Sequence, residues 1–380
     1  MAMSEYYVDP SIAGNSGTGT IGDPYGDLQY ALDNITRNST DGDVIHIKAG
    51  TAEVLSAQLS YTTYGTTAVA APLAFRGYSS TARDGGIAEI DGNGAAVSNQ
   101  GYIGWADLKI HNGGTADLIG GAGTFAYNCW FSDTTGYAFN GNSGSMTNCV
   151  FSNWGGSKSY AIFPSAASEM KGCYLEVDSS NQPSSWVVAG QNGAKVTDTI
   201  INMKSGVTCG GIWVFSNSNR IKNCSILSAA GTGTGIENNN GYYNDIQYNI
   251  VEGFSGTGGE GINYNTATTC LGMVGFNACY NNTTDFVQSG VASAQIDLTD
   301  DDETLSSSAF AKSGSITLSD FVSDNAGFWA SVAAYFEPQD TGNVFGNFGF
   351  NALTKGAVPR PAGAGGGGLL RVNMNGNVFG

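Results

Sequence analysis

The side chains best suited to catalysis in this sequence are carboxylates, and they are scattered through the middle of the chain. They are Asp91, Asp107, Asp117, Asp133, Asp178, Asp198, Glu237, Asp245, Glu252 and Glu260. Hydrolysis of a glycosidic bond needs two carboxyl groups that flank one bond, one as the acid and one as the base or nucleophile. No short motif such as G-x-S-x-G or H-E-x-x-H accompanies them. The sequence therefore predicts no catalytic residues, although glycosidase carboxylates carry no short motif of their own.

The histidines and cysteines do not form a recognisable metal or nucleophile site. His111 has Asp107 and Asp117 near it in sequence, but a lone surface histidine is the simpler interpretation. The seven cysteines, at positions 129, 149, 173, 209, 224, 270 and 279, include no C-x-x-C pair. We therefore predict reduced, buried thiols, no metal site and no cofactor.

Composition and charge exclude several classes of protein and partner. The chain has 380 residues, of which 56 are Gly, 12% are charged and 41% are hydrophobic, a combination unlike disordered chains, collagens or helical bundles. The formal net charge of −17 argues against nucleic acid and against an anionic membrane surface as partners. No run of 18 apolar residues indicates a transmembrane helix, and the first residues lack the pattern of a signal peptide.

The elements that would position these side chains repeat about every two dozen residues. Copies of a four-residue motif begin at Asp107, Asn128, Asn148, Gly172, Asp198, Asn223, Tyr248 and Asn277, with spacings of 21, 20, 24, 26, 25, 25 and 29. A second strand follows in each period, with an apolar column at Tyr137, Tyr160, Trp186, Ile212, Ile236, Ile262 and Phe286. A unit of this size can bury its apolar side only by stacking on its neighbours. The repeat therefore predicts a parallel β-helix with coils about 4.8 Å apart.

Stacking places like residues on like residues along the solenoid. Cys129, Cys149, Cys173 and Cys224 are predicted to form one inward ladder of reduced thiols rather than disulfides. Asp107 and Asp198 share a column, but four coils separate them by about 19 Å, too far for a catalytic pair. Glu237 aligns with Asn263, which pairs an acid with an amide.

The open end of a β-helix needs a cap, because unpaired strand edges promote aggregation. Residues 23–36 have the pattern of a short amphipathic helix that would serve as this cap. Leu28, Ala31, Leu32 and Ile35 share one face, and Asp23 before a proline suits an N-cap.

Several stretches near the N-terminus resemble right-handed parallel β-helix proteins of the pectate-lyase-like superfamily. They are residues 6–10 (YYVDP), 22–32 (GDPYGDLQYAL), 42–51 (GDVIHIKAGT), 75–77 (FRG) and 90–94 (IDGNG). The resemblance implies an all-β fold, a right-handed parallel β-helix solenoid with a short N-terminal capping helix and an irregular Gly/Asn-rich C-terminal region. This superfamily is common among carbohydrate-active enzymes, bacterial surface proteins and bacteriophage tailspikes or appendages, so the resemblance is specific for fold and weak for function.

The outward positions of the motif strands predict an apolar stripe. If the second and fourth motif residues point inward, the third residues Trp130, Val150, Tyr174, Ile200 and Ile250 point outward. Three interpretations remain open for this stripe: another subunit or virion protein covers it, a glycan stacks on it, or the register is wrong by one residue and the stripe is partly core.

The C-terminal part, residues 293–380, is predicted to be a region distinct from the β-helix of residues 1–292. Its acidic run at 297–303 lacks the spacing of a known calcium loop, so a solvated turn is favoured over a calcium site. Residues 341–380 contain 11 Gly and no Asp or Glu. They form either a loosely ordered tail or a tail that docks on an acidic partner, another copy included, through Val344, Phe345, Lys355, Arg360, Arg371, Val378 and Phe379.

These observations and the resemblance favour a non-enzymatic structural protein of a bacteriophage virion, made in the host cytoplasm. It would be a capsid decoration, an appendage or a tailspike-like β-helix, and its partners would be its own copies, other virion proteins and surface polysaccharide. Two alternatives remain open: a polysaccharide lyase or glycoside hydrolase that acts on surface glycans, and a cell-surface adhesive module.

Overall fold

The computed structural model describes residues 3–61, 72–99, 101–140, 144–156, 158, 160–162, 168–239, 243–264, 273–287, 296–298, 302–305, 371–372 and 378–379. Across the solenoid, three sheets of parallel strands run along one axis and enclose a single hydrophobic core. Each strand pairs with the equivalent strand of the next coil, as stacked repeats require. Within these ranges, no helix has the length and apolarity that crossing a bilayer requires.

The strands of each sheet follow one another in chain order. In the described residues, sheet 1 contains Ser4–Val8, Asp43–Lys48, Leu73–Tyr78, Ile103–Ala106, Phe125–Tyr127, Ser145–Thr147, Glu169–Lys171, Lys195–Thr197, Arg220–Lys222, Asp245–Gln247, Met273–Gly275 and Ile296–Leu298. Sheet 2 contains Glu53–Val54, Ala88–Asp91, Leu108–Gly114, Trp130–Thr134, Val150–Trp154, Tyr174–Val177, Ile200–Met203, Ser225–Ser228, Ile250–Glu252, Ala278–Tyr280 and Glu303–Thr304. Sheet 3 contains Ile119–Gly120, Phe139–Asn140, Tyr160–Ile162, Trp186–Gly190, Gly210–Val214, Thr234–Asn238, Glu260–Asn263 and Thr284–Val287.

The first residue of the repeated motif forms the corner between sheets 1 and 2. At Asp107, Asn128, Asn148, Gly172, Asp198, Asn223, Tyr248 and Phe276 the backbone turns with φ between 52° and 62°. Asn, Asp and Gly adopt this left-handed conformation most readily, which explains why they dominate the column. The last corner is Phe276, one residue earlier than the predicted Asn277, because Ile250 pairs with Ala278.

The second and fourth motif positions face the core. Cys129 and Phe131 are both buried members of it, and the same positions of later coils are buried as well. The thiol ladder continues as a ladder of buried amides, in which Asn249 Nδ2 donates to Asn277 Oδ1 at 3.0 Å. All six described cysteines are buried, and none of those six forms a disulfide; Cys270 lies outside the described residues.

The register of sheet 3 differs from the predicted one. Phe139, Ile162, Val188, Ile212, Ile236, Ile262 and Phe286 pair in succession and form the inward column. The predicted column joined Tyr160 and Trp186 to Ile212, a slip of two residues, because loops of unequal length separate the strands. Tyr160 and Trp186 are consequently half-buried rather than part of the core.

The N-terminal helix is shorter than predicted. It spans Leu28–Asn34, and its N-cap is Asp27, whose side chain accepts a hydrogen bond from the Tyr30 N–H; the predicted N-cap at Asp23 is wrong. Leu28, Ala31 and Leu32 are buried in the core at the first coils.

The last described coils contain a buried polar network. Asp302 accepts hydrogen bonds from the Asn277 backbone N–H at 2.7 Å and from the Tyr264 hydroxyl at 2.8 Å. This carboxylate of the acidic run therefore bonds to core groups. Strands Ile296–Leu298 and Glu303–Thr304 still pair with the preceding coil, so the ladder extends past the predicted boundary at residue 292.

Candidate functional site

The predicted apolar stripe lies outside the core, as its register required, but most of it is buried. Val150 is 7% exposed, Tyr174 and Ile200 are 1% exposed, and Ile250 is fully buried. None of these four belongs to the hydrophobic core cluster, so the interpretation of a one-residue register error is wrong. The predicted exposure is also wrong for these four residues.

Polar partners hold this outer layer of sheet 2 in place. The Trp130 Nε1–H donates to Ser152 Oγ at 2.9 Å, and Asn202 Nδ2 donates to the Tyr174 hydroxyl at 2.9 Å. Trp130 is half-buried and is the one member of the stripe that keeps substantial exposed area. A binding role for the stripe stays a prediction.

His111 is paired with a carboxylate that sequence proximity did not indicate. Its Nε2 lies 2.8 Å from Glu89 Oε1, an oxygen that also accepts a hydrogen bond from Lys109 Nζ at 2.7 Å. Asp107, one of the predicted neighbours, instead accepts from Arg76 Nε and Asn128 Nδ2. Among the residues that the structure describes, no group of three or more His, Cys, Asp or Glu side chains is placed to hold a metal ion.

The predicted docking tail falls mostly outside the described residues. Val344, Phe345, Lys355 and Arg360 are not among them. Arg371–Val372 and Val378–Phe379 pair as a two-stranded antiparallel sheet, with Arg371 opposite Phe379. The docking role of this tail stays a prediction.

A group of aromatic rings covers the outward side of sheet 3. We call Tyr160, Trp186, Trp213 and Phe215 the aromatic face. The Trp213 ring centroid lies 4.4 Å from that of Phe215, 5.8 Å from that of Tyr160 and 6.2 Å from that of Trp186. The interplanar angles are 26°, 29° and 15°, so the rings are close to parallel. All four residues are half-buried, so each retains exposed area.

The strand Gly210–Val214 positions the centre of the aromatic face. Ile212 and Val214 are fully buried in the core, which directs the intervening Trp213 outward. The Trp186 ring lies over Gly210, where a Cβ atom would collide with it. The pattern Gly-Gly-Ile-Trp-Val therefore directs the Trp213 indole outward and leaves room for the Trp186 indole over Gly210.

Carboxylates border the aromatic face on the next coils. Glu237 is the register partner of Trp213, and Asn263 is the register partner of Glu237. Asn263 Nδ2 donates to Glu260 Oε2 at 2.8 Å, and Thr234 Oγ1 donates to the same oxygen at 3.1 Å. Burial raises the pKa of the Glu237 carboxyl, and the charge of Glu260 raises it further.

Sequence reasoning recognised Glu237 opposite Asn263 but missed Glu260. Glu260 precedes Asn263 by three residues on one strand, and only the side-chain hydrogen bond brings its carboxylate to the amide. The aromatic face was also missed, because the predicted column treated Tyr160 and Trp186 as core. The outward position of Trp213 between two buried β-branched residues was the signal that could have found it.

The sheet arrangement is that of a parallel β-helix, and strand–crossover–strand connections of this kind are right-handed as a rule. The structure is similar to a pectate lyase, with 15% sequence identity over 95% of this chain and 98% of that one, and a TM-score of 0.49. It is also similar to a mannuronic-acid-specific family 6 polysaccharide lyase from the human gut microbiota, with 15% identity, 74% and 64% coverage, and a TM-score of 0.48. A third similar structure, an open-reading-frame product of Geobacillus virus E2, has 13% identity, 75% and 62% coverage, and a TM-score of 0.44. The chain thus spans less than two thirds of the length of the last two. No family model and no curated protein matches the sequence.

Proposed function

We propose that this β-helix binds glycans on the aromatic face of sheet 3. The observation that carries the proposal is the set of four near-parallel, half-buried rings with Glu237, Asn263 and Glu260 beside them. The face of an aromatic ring is negative, and it attracts the partly positive C–H groups of a sugar ring. Carboxylate and amide groups beside the rings supply hydrogen bonds to sugar hydroxyls.

The solenoid gives this face the rigidity that weak, repeated contacts need. Tyr160 and Trp186 are register partners on adjacent strands, and Trp213 lies on the strand after them. Ring positions fixed by a hydrogen-bonded ladder lose little conformational entropy when a ligand binds.

The test is glycan binding by the whole chain and by a Trp213→Ala variant. A panel of neutral and acidic polysaccharides should contain a ligand, and the variant should bind it about tenfold more weakly or worse, the loss typical of a central aromatic contact. Tyr243→Ala is the control, since Tyr243 is an exposed aromatic residue that belongs neither to the aromatic face nor to the stripe of sheet 2. Equal binding by Trp213→Ala and the wild type, or no ligand in the panel, would overturn the proposal.

A second candidate function is hydrolysis of the bound glycan by Glu237 and Glu260. The observation that favours it is that Glu237 and Glu260 border the aromatic face on adjacent strands, and that burial together with the charge of Glu260 raises the pKa of the Glu237 carboxyl, as the role of an acid requires. Glu237 would protonate the leaving oxygen, and Glu260 would take the proton of the attacking water. Release of new reducing ends from the ligand, abolished in Glu237→Gln, would support hydrolysis, whereas an intact ligand after prolonged incubation would exclude it.

We further propose a virion as the setting, in which the chain is a structural β-helix that assembles with its own copies and with other virion proteins. The sparse charge and the stacked repeat support a structural role, since 12% charged residues leave an outer surface of mostly neutral side chains. Immunogold labelling of purified virions tests it: labelled particles are expected, and label confined to cell surfaces would favour the adhesive module.

A further inference from the structure

The outward side of sheet 2 is buried although it lies outside the core. We call the residues that follow one another by register on this side the outer column; they are Val150, Tyr174, Ile200, Ser225, Ile250 and Ala278. None of these six is more than 7% exposed, and none of them belongs to the hydrophobic core cluster. Their inward neighbours, such as Leu175 and Ile201, fill the core instead. A further layer of the molecule therefore covers the outer column.

Sheet 1 shows that the stacking of coils does not by itself bury a large outward side chain. Strands of both sheets are parallel and stack at the same spacing of about 4.8 Å. On sheet 1, however, the outward residues Phe125 and Tyr127 are 53% and 51% exposed. Tyr174, a tyrosine on the outward side of sheet 2, is 1% exposed. The difference between the two tyrosines requires a layer over sheet 2 that does not extend over Tyr127.

The described elements do not supply this layer. Among the described helices and strands, those in close contact with the strands of sheet 2 all belong to the three sheets of the solenoid. The described turn Ser179–Asn181 reaches sheet 2 at the opposite ends of its strands, where Asn181 Nδ2 donates to the Thr134 carbonyl at 3.2 Å. A partner subunit is not required either, because a single chain already buries the outer column. The layer is therefore assigned to a part of this chain outside the described ranges.

The chain leaves the described solenoid from sheet 2. Glu303–Thr304, the last described strand of this sheet, pairs with Ala278–Tyr280, and the Leu305 N–H donates to the Cys279 carbonyl at 2.8 Å. Residue 306 therefore follows directly on the coil that ends the outer column. Five other segments outside the described ranges connect sheet 3 to sheet 1 instead; they are residues 141–143, 163–167, 240–242, 265–272 and 288–295.

Residues 306–350 have the length and the composition that such a layer needs. The outer column crosses five strand steps, about 24 Å, which about eight extended residues can span. The segment contains nine aromatic residues among 45, whereas aromatic residues make up 11% of the whole chain. They are Phe310, Phe321, Phe328, Trp329, Tyr335, Phe336, Phe345, Phe348 and Phe350. Side chains of this kind gain free energy when they leave water, and the outer column offers an apolar surface for them.

We propose that residues 306–350 pack on the outward side of sheet 2 of their own chain. The same layer covers the second outward row of this sheet, which accounts for the burial of Ser152, Asn202 and Leu227. Apolar surface is removed from water on both partners, and the covalent connection through Leu305 keeps the segment beside the sheet. The packing removes sheet 2 from the surfaces on which copies of this chain can assemble. It concerns a different sheet from the aromatic face and so goes beyond the function proposed above.

The test is photocrosslinking of the whole chain. One variant replaces Tyr174 with the photoreactive residue benzoylphenylalanine, and the matched control carries the same residue in place of Tyr127, the exposed tyrosine of sheet 1. Each variant is irradiated as an equal mixture of isotope-labelled and unlabelled chains, and mass spectrometry identifies the joined peptides. We expect the label at position 174 to join peptides of residues 306–350 from the same chain, with both peptides carrying the same isotope, and no such product from position 127.

A second label keeps the test decisive if the bulkier residue disturbs the buried position 174. Trp130 is the register partner of Val150 and keeps exposed area, so it accepts the label at the edge of the outer column. Circular dichroism of each labelled chain shows which variants fold, and a folded variant labelled at position 130 gives the same expected product.

Three results would overturn the proposal. Products that join peptides of different isotopes would make a second copy, rather than the chain's own segment, the occupant of sheet 2. Equal yields from positions 174 and 127 would mean that the segment has no preference for sheet 2. Folded variants labelled on sheet 2 that give no product with residues 306–350 would mean that another part of the chain forms the layer.

Discussion

The aromatic face of sheet 3 and the outward side of sheet 1, which carries Lys171, Lys195, Arg220 and Lys222, are built on one scaffold but differ in chemistry. Both are rows of outward side chains on parallel strands whose inward residues belong to the same core. On sheet 3 the rings contact one another, whereas on sheet 1 the charged groups are spread over several coils. Packing of the inward residues fixes the position of each outward side chain. The residue type at the outward position then determines which ligand can bind there.

The largest expected effect is a loss of stability. It tests whether the inward residues support the fold while the outward residues are available for binding. Ile212→Ala should lower the free energy of unfolding by about 2–5 kcal/mol, because Ile212 is fully buried and its truncation leaves a cavity. Trp213→Ala, one residue further along, should lower the free energy of unfolding less than Ile212→Ala does. It should weaken glycan binding more. Chemical denaturation of both variants measures the free energy of unfolding. A larger stability loss for Trp213→Ala than for Ile212→Ala would contradict the separation of inward and outward roles.

Much of the inward pattern was predictable from the sequence, for a physical reason. Corner residues such as Asn128 and Asn148 are constrained by a left-handed φ, and Cys149 and Phe151 are constrained by burial, so the repeat makes both visible. The outward pattern was not predictable, because few constraints act on it. The burial of Ile250 at an outward position does not follow from the periodicity, and the contact of Glu260 with Asn263 depends on side-chain conformations.

The second prediction concerns the N-terminal coils, where Glu53 begins the first strand of sheet 2. Burial raises the pKa of Glu53 to about 7 from 4.5, although the Leu28 N–H donates to its carboxylate at 2.9 Å. The folded state thus holds this proton more tightly than the unfolded state, and the resulting stability is complete below pH 4.5 and lost as the pH rises to about 7. The loss should amount to about 3 kcal/mol, and Glu53→Gln should remove it from a series of denaturation curves at different pH values.

This pH response also serves as a control for the comparison. If binding at the aromatic face changed with pH in the wild type but not in Glu53→Gln, the N-terminal coils rather than the face would be responsible. If the wild type shows no loss of stability between pH 5 and 8 relative to Glu53→Gln, the burial of this carboxyl does not have the assigned effect.

The third prediction concerns the response of glycan binding to salt. Raising the NaCl concentration from 0.05 to about 0.5 M shortens the Debye length to under about 5 Å and screens the exposed charges of sheet 1. Glycan binding at the aromatic face should change less than about twofold, since ring stacking does not depend on net charge. Titrations at several salt concentrations check this, and a loss of about tenfold or more would mean that the ligand also uses the charged side chains of sheet 1.

The smallest expected effect is the change in stability when an outward lysine is replaced. It tests whether outward residues of sheet 1 matter less for stability than the core residues beneath them. Lys195→Ser should change the free energy of unfolding by less than about 0.5 kcal/mol, because Lys195 is exposed and lies between Glu169 and Arg220, whose effects on it oppose each other. Denaturation curves of the variant and the wild type check this, and a stability loss of about 2 kcal/mol or more would mean that the outward side chains of sheet 1 support the fold.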